Sequence, residues 1–231
     1  MTPLFTDSVA LSRDRLPQTI AARTRRVYDI LSTIYPLSSY FFHKKAHNAA
    51  LEMARVQNGM QVLEVATGSG EMFRRLVKTN SAGRTYGIDL SPKMAARTHK
   101  HVRQDFPKAN SHCHAVDARY LPFRDDSFDA VFCCYLLELM SRSDILLTLR
   151  EIRRVLKPHG SLSLILIGEN DSQLFNSLYE VAGSLVPAFW GRQIQAEGAE
   201  ILRAAGFRIE SERLVKQSGY PSRVLKIVKK P

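Results

Sequence analysis

Three carboxylates carry the first chemical suggestion in this chain. Glu64, Asp89 and Asp117 each stand at the end of a short run that reads as a strand, and Glu64 is followed closely by Gly68-Ser69-Gly70. If the runs are successive parallel strands, the acids face one crevice beyond their carboxyl ends, where open α/β sheets bind ligands. Asp89, 19 residues after Gly70, is placed for ribose hydroxyls, since a carboxylate can accept two hydrogen bonds from a vicinal diol. Asp117 is placed to accept from an adenine amine. The loop itself argues against phosphate. A dinucleotide fingerprint needs a third glycine three residues after Gly70, where this chain has Phe73, and no Gly-Lys-Ser/Thr follows for a P-loop. Glu64 beside the loop would repel a phosphate and attract an ammonium or sulfonium group. A cationic nucleoside fits this set better than NAD does.

Other clusters are weaker. His112-Cys113-His114 has metal-ligand residue types, but on a strand the two histidines share a face and the cysteine takes the other, so no metal site is expected. Cys133-Cys134 are adjacent on a strand and diverge in the same way, which suits core packing. Tyr135 and Glu138, just past the same strand, are the candidate catalytic groups if a base is needed, with His43 and His47 as further candidates from the N-terminal region.

The elements that must position these groups follow from periodicity. Strands are expected near 61–65, 85–88, 112–116, 127–135 and 161–167, alternating with helices over 71–80, from Ser91-Pro92 onward, and over 144–157. Ser91 suits an N-cap and Pro92 the first helical position. Two final strands, 207–215 and 223–228, are joined by a turn short enough for an antiparallel hairpin at the sheet edge. The basic 223–230 stretch reads as the edge strand itself, with lysines on a solvated face. The expected fold is α/β: a Rossmann-like, doubly wound, mostly parallel seven-stranded sheet with an antiparallel C-terminal edge hairpin. It forms a single domain over 1–231, comprising an N-terminal helical extension (1–56), a core (57–168), a cap and helix (169–206) and the C-terminal strands (207–231).

The extension reads as one helix from about residue 16, broken by Pro36 and Ser38-Ser39, and a second over 43–55. Its basic, aromatic character allows peripheral membrane contact through residues 13–45. A helix packed over the mouth of the domain's own site is the preferred reading. The aromatic and leucine-rich 169–192 segment is expected to be a cap, which would wall an apolar pocket, touch a bilayer or simply cover core. The net charge of +11 favours anionic partners such as a phospholipid surface or nucleic acid, although soluble enzymes without a polyanion partner also carry such a balance. No apolar run approaches the roughly 18 residues of a membrane span. Three cysteines make no disulfide framework, and a cytoplasmic setting is expected, peripheral at the inner membrane surface if the membrane contact is made.

Taken together, the segments 62–70 (Val-Leu-Glu-Val-Ala-Thr-Gly-Ser-Gly), 87–91 (Gly-Ile-Asp-Leu-Ser), 117–123 (Asp-Ala-Arg-Tyr-Leu-Pro-Phe), 127–131 (Ser-Phe-Asp-Ala-Val) and 149–160 (Leu-Arg-Glu-Ile-Arg-Arg-Val-Leu-Lys-Pro-His-Gly) resemble the class I S-adenosylmethionine-dependent methyltransferases. The resemblance is closest to the branch of quinone-ring C-methyltransferases and bacterial phosphatidylethanolamine N-methyltransferases, which Val27-Tyr28-Asp29 also resembles. It implies S-adenosyl-L-methionine as cofactor. Gly68 and Gly70 would admit the methionine part, with Glu64 near its amino group, Asp89 on the ribose, and Asp117 with Ala118 against adenine. Ala66, Thr67, Ser69, Leu90, Met94 and Tyr135 complete the implied set. Ala66 stands where the family usually has its first glycine, and Pro158-His159-Gly160 where it often has Pro-Gly-Gly.

The function expected is methyl transfer to a small or lipid-like apolar acceptor, at the membrane surface if the peripheral contact is made. RNA methylation is one alternative, disfavoured because strand four ends Cys133-Cys134-Tyr135-Leu136 without the Asp/Asn-Pro-Pro-aromatic signature of exocyclic-amine methylases. A non-catalytic cofactor-binding protein is the other.

Overall fold

Alternation of period two in the strands and of three to four in the helices builds a seven-stranded sheet flanked on both faces. The computed structural model describes residues 35–168, 195–217 and 221–230, with side chains of the two helices at these boundaries described from His43 and Gly198 onward. The strands are β1 (Gln61–Val65), β2 (Arg84–Asp89), β3 (Asn110–Ala115), β4 (Phe128–Cys134), β5 (Leu156–Ile167), β6 (Phe207–Val215) and β7 (Ser222–Lys229). The helices are α1 (Tyr35–Ala54), α2 (Glu71–Thr79), α3 (Pro92–Asp105), α4 (Arg142–Val155) and α5 (Gln195–Ala204). The sheet order is β3-β2-β1-β4-β5-β7-β6, with β1 to β5 parallel and β7 antiparallel to both neighbours. The chain leaves β1 toward β2 and β3, then returns to place β4 on the other side of β1. That reversal opens a crevice at the carboxyl ends of β1 and β4, the position where doubly wound sheets hold ligands.

Strand β1 shows how the two faces are built. Leu63 and Val65 join Val131, Leu164 and the α4 residues Ile145, Leu149 and Ile152 in one core layer. Val62 joins Ala130, Phe132, Ile165, the α2 residues Met72 and Leu76, and the small residues Ala46, Ala49 and Ala50 of α1 on the other. Each fully buried Leu or Phe contributes about 1.5–3 kcal/mol. Phe73, which occupies the place of a third loop glycine, is fully buried, and the room for it comes from the strand instead: a Cβ at Gly87 would lie 2.9 Å from its ring and 2.6 Å from Thr67.

Three expectations need correction. The second helix does not start near His43: α1 is already helical at Tyr35, so Pro36 and Ser38-Ser39 lie within it rather than before it. The last strand, β7, is interior rather than an edge, and β6 is the edge. Its basic residues are neutralised across strands and loops, Arg223 by Glu212, Lys226 by Glu210 and Lys229 by Asp126. Helix α4 stops at Val155 and β5 starts at once, because Leu156 already pairs with Phe128, with an irregularity before Ala130 pairs with Ser161. The expected helix before residue 35, the 169–192 cap and the centre of the C-terminal turn lie outside the described residues. Among the described residues, no helix is long and apolar enough to cross a membrane.

Candidate functional site

The carboxyl ends of the parallel strands surround a cavity of about 170 Å³. The strand order sets its polarity. From β3 across to β4 the wall presents Asp117, Asp89, Glu64 and then Cys134 with Tyr135, a span of three strand spacings or about 14 Å.

The glycine loop leaves β1 through left-handed backbone at Ala66 (φ 63°), Gly68 (φ 50°) and Gly70 (φ 80°). Left-handed backbone at a non-glycine residue costs about 1–3 kcal/mol, and the loop is over-determined by its hydrogen bonds. The Thr67 N–H donates to the Ile88 carbonyl at 3.0 Å, the Gly70 N–H to the Thr67 carbonyl at 2.8 Å, and the Gly68 N–H to the Asp89 Oδ2 at 2.8 Å. The Asp89 Oδ1 accepts from the Ser91 N–H at 2.9 Å, and Ser91 caps α3 by accepting from the Met94 N–H. Asp89 therefore fastens the loop to the start of α3. Each of its oxygens can accept more than one bond, so this role is compatible with a ribose diol.

Glu64 is 1% exposed, and its Oε2 has no hydrogen-bond partner. Burial, then the Asp89 charge, pushes its carboxyl well above the usual range. A cation placed beside it would favour the ionised form. Asp117 accepts from the Arg119 backbone N–H at 3.0 Å and from its Nε and Nη2, while Arg119 Nη1 donates to Asp144 at 2.8 Å. Burial raises the Asp144 carboxyl, but bonds from Arg119 and Ser141 leave it below its ordinary value. This Asp117–Arg119–Asp144 bridge joins the loop after β3 to the first turn of α4.

Between these acids the wall is largely apolar. Met72, Cys134 and the Tyr135 ring lie on the α1 face of the sheet, while Leu136 and Met140 pack on the core layer under α4, Met140 directly preceding the Ser141 cap beside the Asp117–Arg119–Asp144 bridge. Tyr135 also has left-handed backbone (φ 54°) and stacks on His43 with centroids 4.3 Å apart. Its hydroxyl pairs with Ser222 Oγ at 2.8 Å and accepts from Gln217 Nε2 at 3.3 Å; burial raises the phenol above its ordinary range. His43 and His47, one turn apart on α1, both line the cavity. Burial lowers His43 to about 4; burial, then the His43 and Arg75 charges, lowers His47 to about 3.

Of the expected cofactor residues, Glu64, Ala66, Thr67, Gly68, Ser69, Asp89, Leu90, Met94, Asp117 and Tyr135 share this wall. Gly70 and Ala118 do not: Gly70 forms the N-cap of α2 against Thr98, and Ala118 packs on the core layer. Glu138 is also off the wall. It is buried in the turn Leu137–Leu139, where its Oε1 accepts from the Ile167 N–H at 2.7 Å and burial pushes its carboxyl up to about 7. Cys133 faces the core layer while Cys134 faces the cavity, as adjacent strand residues must. His112 and His114 are exposed, with Cys113 buried between them. Among the described residues no cluster of His, Cys, Asp or Glu could hold a metal ion. Sequence reasoning missed Arg119 and Asp144. The Asp-x-Arg spacing hinted at the first pair, but nothing local joins Arg119 to a residue 25 positions away.

Comparison with known proteins agrees with this geometry. A family profile described as a methyltransferase domain matches residues 62–160. The chain is 26% identical over 161 residues to a 2-phytyl-1,4-naphtoquinone methyltransferase of Trichormus variabilis, covering 68% of this chain and 69% of that protein. It is 30% identical over 168 residues to a demethylmenaquinone methyltransferase of Staphylococcus aureus, covering 71% and 66%. The fold is similar to that of magnesium protoporphyrin IX methyltransferase of Synechocystis, solved with bound SAH, with a TM-score of 0.71 over 91% of this chain and all (100%) of that one at 16% identity.

Proposed function

The chain belongs to the class I S-adenosylmethionine-dependent methyltransferases, and on that premise we propose that it methylates a small, apolar, quinone-like acceptor. One observation carries this reading. A single cavity wall combines acids suited to a cationic nucleoside with an apolar surface of Met72, Cys134 and the Tyr135 ring beneath α1. The relatives named for naphthoquinone and demethylmenaquinone methylation support the same acceptor class.

The cofactor supplies an electrophilic methyl group on a sulfonium. In the proposed arrangement Asp117 meets adenine, Asp89 the ribose, and Glu64 the amino group, with Gly68 and Ser69 giving close backbone approach. Met72 and Cys134 exclude water and hold the acceptor in line, and near-attack positioning can supply much of the acceleration of a displacement. Tyr135 offers its ring, its hydroxyl being held by Ser222 and Gln217. Glu138 ties the turn after β4 to the end of β5.

Titration calorimetry with S-adenosylmethionine, followed by a screen of quinols, aminophospholipids and small amines with labelled cofactor, tests the reading. Failure to bind either the cofactor or its demethylated product would sink it. The basic, aromatic 13–45 stretch supports loading of such an acceptor from a membrane surface. Flotation with anionic liposomes should then weaken when Arg23, Arg25 and Arg26 are replaced by glutamine; unchanged flotation would remove the membrane component.

A further inference from the structure

The acid proposed for adenine is already in a fork. Asp117 Oδ1 accepts from the Arg119 backbone N–H and from its Nε, each at 3.0 Å, and Oδ2 accepts from Arg119 Nη2 at 2.7 Å. Nε also lies 3.2 Å from Oδ2. A carboxylate offers about four acceptor sites, two on each oxygen. Arg119 therefore fills both sites of Oδ1 and one of Oδ2, and its side-on fork fixes the plane of the carboxylate. One site is left, on Oδ2. Asp117 lines the cavity with 17% of its side-chain surface still accessible.

The guanidinium is itself held from its far end. Nη1 donates to Asp144 Oδ1 at 2.8 Å. Asp144 is fixed in turn by Ser141, whose Oγ donates to Oδ2 at 2.8 Å and accepts from the Asp144 N–H at 3.2 Å as the cap of α4. All three charged residues line the same cavity, and a cation between two acids leaves one formal negative charge there. That charge favours a hydrogen-bond donor at the remaining site and disfavours an acceptor.

We infer that Arg119 is the positioning residue that sets base selectivity, holding Asp117 so that its one remaining acceptor site takes an exocyclic amine and rejects a carbonyl oxygen, an assignment that rests on the cofactor placement proposed above. Without the fork, the carboxylate turns about its Cβ–Cγ bond and offers three sites instead of one. Water or a ring N–H can use those as readily as an exocyclic amine can. Lysine is no substitute, because its ammonium is a point charge without the planar fork.

The test titrates the full chain by calorimetry with S-adenosylhomocysteine and with S-inosylhomocysteine, which carries a carbonyl oxygen where adenine has its amine. Wild type should prefer the adenosyl form by about thirtyfold or more, the scale expected of a site built around a charged hydrogen bond. Arg119→Met should cut that preference by about tenfold, chiefly through weaker adenosyl binding, and Arg119→Lys should follow Met rather than wild type. If the Met variant fails to fold, the Lys variant decides. A purely structural role would weaken both ligands alike, so a preference that falls by less than about threefold overturns the inference, as does a wild type without preference. Methyl transfer from S-adenosylmethionine to apolar acceptors is scored in parallel. Arg119-dependent selectivity without such transfer overturns the proposed acceptor and leaves the inference; transfer with Arg119-independent selectivity does the reverse. Binding of neither ligand overturns both.

Discussion

Asp89 is the most informative single position, because the structure gives it two separable tasks. Its carboxylate accepts from the Gly68 N–H at 2.8 Å and the Ser91 N–H at 2.9 Å, holding the glycine loop to the start of α3. It is also the group proposed for the ribose. Charge-assisted bonds of this kind contribute about 1.5–3 kcal/mol each, and water recovers part of the loss at a cavity wall. Asp89→Ala should therefore lower stability by about 2–4 kcal/mol, a Tm drop of roughly 5–15 °C for a chain of this size. Loss of the ribose contacts should weaken S-adenosylmethionine binding by at least about 100-fold, at about 1.4 kcal/mol per factor of ten. Asp89→Asn keeps one acceptor oxygen but not the charge, and should fall between wild type and Ala in both measurements. Calorimetric titration and thermal unfolding of the three proteins provide the assay. Binding within threefold of wild type in the Ala variant would refute the ribose role, and an unchanged Tm would refute the fastening role.

Glu138 supplies a pH prediction. Its carboxyl lies near 7 in the folded chain and near 4.5 when unfolded, so the folded state holds more protons between those values and stability falls as pH rises through that window. Glu138→Gln should flatten this slope and be more stable than wild type at pH 8, by an amount on the order of 3 kcal/mol, while kcat stays within threefold; a loss of kcat beyond about 100-fold would instead make Glu138 a base. Glu64 makes a different one. Because burial raises its carboxyl well above the usual range and a bound cation would lower it again, cofactor binding should release a proton at pH values between the free and bound states, seen as a buffer-dependent binding enthalpy that disappears in Glu64→Gln. Buffer-independent enthalpy in wild type would contradict it. Finally, Ala66→Gly should relieve left-handed strain and raise Tm by about 2–4 °C, corresponding to about 1 kcal/mol, and a lower Tm would show that the loop gains more from the methyl group than it loses in backbone conformation.

The core was legible wherever a local pattern and a tertiary requirement coincide. Val62 to Val65 alternates between two buried faces, and Ser91-Pro92 caps α3 as its residue types dictate. The last two strands form the expected antiparallel hairpin at the sheet edge, and which of them is outermost is also written in their composition. Phe207–Val215 carries Arg208, Glu210, Ser211, Glu212 and Arg213, which suits an edge, whereas Ser222–Lys229 carries the buried Val224, Leu225 and Ile227, which suits an interior strand. Within the site, the acids at strand ends were legible because parallel strands put their ends together. Contacts made by chain segments far apart were not: Arg119 with Asp144, the Tyr135 hydroxyl with Ser222, and the α1 histidines over the cavity depend on packing that no local spacing records.

In the proposed arrangement a cofactor held at Glu64, Asp89 and Asp117 delivers its methyl group to an apolar acceptor in the same cavity. Radiolabelled S-adenosylmethionine should pass label to a prenylated naphthohydroquinone, recoverable in organic solvent, with no label on transfer RNA. Label on the RNA, or a cofactor-loaded protein that labels no apolar acceptor, would contradict the account.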